Sequence, residues 1–150
     1  VAHICSYFDT VSICLSKGLG APMGSILVGD LKTIKTARRW RKMLGGGLRQ
    51  AGIVASAGLY ALENNISRLE KDHDKAEILA TALQELDIKI LEKPQTNMVI
   101  LGPEVDTTTL RNYLAKRNIR IAGHRLVIHK DISDGDIEKI ILACSQYKND

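Results

Sequence analysis

The sequence predicts an α/β chain in two parts. Residues 1–64 read as an α/β portion, and residues 65–150 as a small α+β domain with helices on one face of an antiparallel sheet. Three observations carry this. Short, largely apolar runs at Val11–Leu15 and Ser25–Gly29 read as strands, the first of a kind covered on both faces. The small-residue segment from Ala51 carries no charge until Glu63 and reads as a tightly packed, buried helix. Beyond residue 64, strands alternate with amphipathic helices.

Taken in order, residues 1–10 offer neither a helix cap nor strand alternation. The first strand stops at Ser16 and Lys17, and a turn with Gly18, Gly20 and Pro22 leads to the second. Asp30 is placed to cap a helix through Met43 that puts Ile34, Ala37, Arg41 and Leu44 on one side. Trp40 lies off that stripe, either packing at an interface or covering its own helix. Gly45–Gly47 end the helix, and three glycines in a row are costly unless backbone must curve sharply or approach a ligand. Asn65 is expected to cap a helix from Ile66 to Leu86. Strands at Ile88–Leu91 and Met98–Leu101 follow, then a helix over Thr107–Arg117, strands at Ile119–Ile121 and Leu126–Ile128, and a helix over Asp134–Gln146. Ser133 and Asp136 form a variant capping box, with Ile137, Ile140, Ile141 and Cys144 as the buried stripe.

Composition excludes several classes. With 150 residues, 45% of them hydrophobic, the chain can build a real core. Its net charge of +4 is concentrated in Ala37–Met43 and forms no recurring stripe, which argues against nucleic acid. No apolar run approaches a membrane span, and there is no signal-peptide pattern. The three cysteines are odd in number and widely spaced, as expected of reduced thiols in a cytoplasmic protein, and they give no zinc spacing. The first residue is valine, which suggests the later part of a longer polypeptide.

Lys17 stands at the mouth of a strand, where it is either a solvated surface charge or a lysine whose lost solvation lowers the ammonium's pKa and frees the amine as a nucleophile. The nearby glycines match neither the dinucleotide fingerprint nor the Walker A loop, whose lysine follows its glycines. Arg49, beside the triple glycine, either holds a phosphate or carboxylate or caps a helix terminus. Arg125 opens a short apolar strand as a carboxylate clamp or a surface ion-pair partner. His3, His73, His124 and His129 show no metal spacing.

The runs ICLSKGLGAPMGSILVG, RRWRKMLGGGLRQAGIVASAGLYAL and EKDHDKA, with TNMVI and RLVIHKDIS further on, resemble the low-specificity L-threonine aldolases. The resemblance covers about Tyr7 to the C-terminus and implies the C-terminal part of a fold-type-I enzyme of pyridoxal phosphate. That part is the end of the large-domain sheet plus a small C-terminal α+β domain. It implies Lys17 as the Schiff-base lysine, Ser16 as its phosphate or Schiff-base neighbour, and Arg125 as the grip on the substrate α-carboxylate. Arg49 becomes the arginine near the cofactor phosphate that reaches a neighbouring subunit, and Lys42 a residue at the edge of the site. The implied reaction cleaves threonine or allo-threonine to glycine and acetaldehyde in a homo-oligomer, a dimer of dimers, with no nucleic-acid or membrane partner. The family's base histidines, its pyridine-nitrogen aspartate and its phosphate cup lie upstream of the matching stretch, so the chain alone is expected to have little activity. A β-eliminating lyase of the same fold type, or a non-catalytic fragment assembling with a complementary chain, are the alternatives.

Overall fold

The computed structural model describes residues 1–149 and divides into two compact units, Val1–Ser67 and the residues from Arg68 onward. In the first, a short helix α1 (Ala2–Cys5) precedes strands β1 (Thr10–Cys14) and β2 (Ser25–Gly29). These pair antiparallel with Thr10 opposite Gly29 and Cys14 opposite Ser25. Helix α2 (Leu31–Met43) follows, and its N-terminus is held as the sequence suggests. Asp30 accepts from the Thr33 amide at 2.9 Å and the Thr33 hydroxyl at 2.5 Å. Helix α3 (Gly52–Asn64) completes the unit.

Burial in this unit departs from expectation. The strand pair stands alone among the described residues, and Ile13, Leu27 and Val28 are exposed. An apolar run shows that a strand suits a covered position, and not which chain supplies the cover. Helix α2 buries none of its residues, and Leu44 at its end is 82% exposed. Helix α3, expected to be buried, buries only Gly58 and Ala61 and leaves Ile53, Leu59 and Tyr60 outside.

The second unit closes on itself. Helix α4 (Leu69–Glu85) packs on the antiparallel pair β3 (Met98–Ile100) and β4 (Arg125–Val127), and α6 (Asp134–Asn149) packs on α4 and on α5 (Thr107–Ala115). Leu79, Leu83, Val99, Leu101 and Leu114 are at most 2% exposed and form one core with Ala76, Ile88, Leu110, Ile128, Ile137 and Cys144. The expected capping box is present: Asp136 Oδ2 accepts from the Ser133 amide and hydroxyl, and the Asp136 amide donates to Ser133 Oγ. Asp72, 1% exposed, has its carboxylate met by Arg68 at 3.0 and 3.1 Å and by Lys75 at 3.7 Å. Lys75 also donates to the Ile132 carbonyl, tying α4 to the segment that opens α6.

Beyond end shifts of one to three residues, one helix start and two expected strands differ from the sequence reading. Helix α4 starts at Leu69 because Asn65 closes α3 instead, its side-chain amide turned to the Leu19 carbonyl at 2.7 Å. Ile88–Leu91 yields only a bridge between Ile90 and Leu101. Ile119–Ile121 forms no strand. Asn118 (φ 60°) ends α5 in left-handed backbone, the Ile119 amide donates back to Leu114, and both isoleucines pack on the core without a ladder partner.

Candidate active site

The turn after β1 begins at Leu15, the first buried residue of the chain. Its amide donates to the Gly24 carbonyl at 2.9 Å, and its carbonyl accepts from the Ala21 amide at 3.0 Å. Within this loop the Gly20 amide donates to the Lys17 carbonyl at 2.8 Å, and Gly20 takes left-handed backbone (φ 74°). Two contacts from α3 and its end pin the loop. A β-carbon on Gly58 would stand 3.0 Å from Leu15 Cδ1, so the bare glycine gives that leucine its seat. Asn65 holds the other side through the Leu19 carbonyl. Lys17 is therefore carried on a fastened turn with its own side chain exposed. The desolvated lysine expected at a strand mouth is not found. The strand's neighbours in this unit leave that end open to solvent.

Ser16 and Lys17 share this turn, and Cys14 adjoins them with its Sγ 3.3 Å from Ser16 Oγ. Hydrogen bonding from the Ser16 hydroxyl, then from the Ser16 backbone and from Ser25, with the Lys17 charge, holds the Cys14 thiol below its ordinary pKa. The glycine segment forms a second group. A β-carbon on Gly47 would collide with the Lys42 side chain, whose Nζ lies 2.7 Å from that point. The lysine thus lies folded over bare backbone, which explains one of the three consecutive glycines. Arg49 follows in an exposed turn beside Gln50, itself held at φ 50°.

The exposed Lys17 amine suits an aldehyde, and Lys42 and Arg49, on a separate stretch of glycine backbone, suit a phosphate ester. These are the two donor types that pyridoxal phosphate takes. Arg125 belongs to the second unit, opposite Ile100 in the β3–β4 ladder. It lines a cavity of about 550 Å³ with Arg120, His124 and His129 over a floor that includes Ile121 and Ile128. Arg120 was not singled out from sequence, and Gly58 was read only as a small residue of a packed helix. Asn65 read as a cap because nothing in spacing announces a carbonyl brought near by folding. No group of three or more His, Cys, Asp or Glu side chains suited to a metal occurs among the described residues.

Residues 1–105 match the family described as beta-eliminating lyase. The low-specificity L-threonine aldolase of Escherichia coli strain K12 is 44% identical over 141 residues, which are 92% of this chain and 42% of that protein. The chain therefore spans less than half the length of this curated relative. Among solved structures, a Listeria monocytogenes protein proposed to be an L-allo-threonine aldolase superposes with a TM-score of 0.79 at 20% identity, covering 96% of this chain and 46% of that one. A serine palmitoyltransferase from S. paucimobilis with a bound PLP–myriocin aldimine gives a TM-score of 0.69 at 14% identity, covering 95% and 39%. The fold is that of part of a fold-type-I chain.

Proposed function

The chain belongs to the beta-eliminating lyase family, and on that premise we propose that it is the lysine-bearing part of a pyridoxal-phosphate-dependent aldolase. The reaction proposed is cleavage of L-threonine or L-allo-threonine to glycine and acetaldehyde. The observation that carries this reading is the exposed Lys17 on a turn pinned by Gly58 and Asn65, in a chain 44% identical to a threonine aldolase.

Each residue has a physical task. Lys17 presents its amine as the point of covalent attachment for the cofactor. Arg49 supplies its guanidinium to the phosphate of the cofactor in a neighbouring subunit, Lys42 adds positive charge at the edge of the site, and Ser16 adds a hydroxyl beside the attachment point. Arg125 grips the substrate carboxylate, which fixes the substrate's orientation. The bound cofactor supplies an electron sink for the charge left at Cα when the Cα–Cβ bond breaks. A base must also remove the β-hydroxyl proton, and we assign that role to no residue of this chain. The family's description favours a second reading, β-elimination on the same lysine.

Borohydride reduction of the chain with pyridoxal phosphate, followed by peptide mass mapping, tests the first reading. A pyridoxyl adduct on Lys17, lost in K17A, is the expected result, and an adduct confined to other lysines would overturn it. The chain alone should release little acetaldehyde from threonine, and rapid release would sink the reading of an incomplete site. Once the rest of a full-length relative is supplied, comparing threonine, allo-threonine and aromatic amino acids separates aldol cleavage from elimination.

A further inference from the structure

The second unit holds another cavity, of about 670 Å³, between the end of α5, the segment that follows it and α6. Its size is that of a small-molecule site. The floor is apolar, with Ile119, Ile132, Ile140 and Ala143. Four charged side chains line it: Arg117, Arg120, Lys139 and Asp136. Asp136 is already committed, since its carboxylate accepts from the Ser133 amide and hydroxyl at the start of α6. Lys139 lies 3.6 Å from Asp136, and its ammonium is largely exposed. The cavity is therefore positive beyond what its one carboxylate offsets.

Arg117 is the ordered member of the set. Its guanidinium lies over the Tyr113 ring, 3.7 Å from the centroid, and donates to Gln146 Oε1 and to the Tyr113 carbonyl, each at 3.4 Å. A guanidinium stacked in this way is pre-organised and keeps further N–H groups for two oxygens of a phosphate. Arg120 and Lys139 bring exposed charge to the same space.

We propose that this cavity binds an organic phosphate, a dianionic group on a flat apolar body. The phosphate is held by Arg117, Arg120 and Lys139, and the body lies against Ile119, Ile140 and Ala143. This site lies in the second unit, shares Ile119, Arg120, Ile132 and Ile140 with the Arg125 cavity beside it, and uses no residue of the Lys17 turn.

Titration calorimetry with phenyl phosphate, inorganic phosphate and benzyl alcohol tests it on the whole chain. Phenyl phosphate should bind more tightly than inorganic phosphate, and benzyl alcohol should not bind measurably. K139A and R120A, both at exposed positions, should each weaken phenyl phosphate about tenfold, as expected when one charge-assisted contact is lost. R117K keeps the charge and loses the fork, and it should weaken binding as well. Far-UV circular dichroism establishes that each variant is folded. Equal binding of phenyl phosphate and inorganic phosphate would show only counter-ion attraction and overturn the proposal. So would binding that K139A leaves unchanged, whatever R120A does, since Arg120 also lines the Arg125 cavity.

Discussion

At the scale of single residues, two thiols in one chain have been driven in opposite directions. The Cys14 thiol sits among hydroxyl donors beside Lys17 and is held below its ordinary value, while burial pushes the Cys144 thiol up to about 11. Iodoacetamide at pH 8 should label Cys14 well before Cys144, read by peptide mass mapping, and equal rates would contradict the assignment. The buried thiol also sets an alkaline limit. The unfolded chain ionises Cys144 near 9.0 while the folded chain resists until about 11, so stability should fall as pH rises between these values. C144A should flatten that slope in urea melts taken at successive pH values. None of this was legible in the sequence, where Cys14 and Cys144 both sit in apolar surroundings. The difference arises from a strand partner and from a core, both assembled by folding.

At the scale of elements, local chemistry was read at two helix starts, Asp30 and the Ser133–Asp136 box, and missed at Asp106, although each decisive partner lies within a few positions. Asp30 and the Ser133–Asp136 box act on amides three residues away, and the sequence displays both groups. Asp106 does the same for α5, accepting from the Thr108 and Thr109 amides at 2.9 and 3.1 Å and the Thr109 hydroxyl at 2.6 Å. These bonds hold its carboxyl below the ordinary range, the Thr109 hydroxyl contributing most. The cap's contribution is present above the ordinary carboxylate pKa and is lost as pH falls through the depressed value. D106A should lower the melting temperature of the chain by a few degrees at pH 7, and D106N, which keeps a capping oxygen, by less. The difference between D106A and the parent should shrink in acid. The elements misread were those decided at a distance. Asn65 is claimed by Leu19, and Ile119–Ile121 is claimed by the core in place of a sheet.

At the scale of the molecule, the two units differ in self-sufficiency. The unit from Arg68 onward has a closed core of side chains at most 4% exposed. In Val1–Ser67 the described residues leave Ile4, Tyr7, Phe8, Met23 and Leu48 more than half exposed. A segment starting at Arg68 should therefore melt cooperatively in circular dichroism, whereas residues 1–67 alone should show no cooperative transition. L83A within the longer segment should cost ~2–5 kcal/mol, the usual range for emptying a buried leucine site. The family and the Lys17 turn were legible because their motifs are short and contiguous. The seat of that turn was not, because Gly58 and Asn65 lie forty and more positions away and have no distinctive spacing to it.

Trp40 is the chain's one tryptophan, and it stands on α2 with 55% of its surface exposed. Its emission is therefore an optical label for a single helix. Whatever comes to cover α2 should shift that emission to shorter wavelength and shield it from acrylamide quenching. A ligand confined to the second unit's cavities should leave the spectrum where it was.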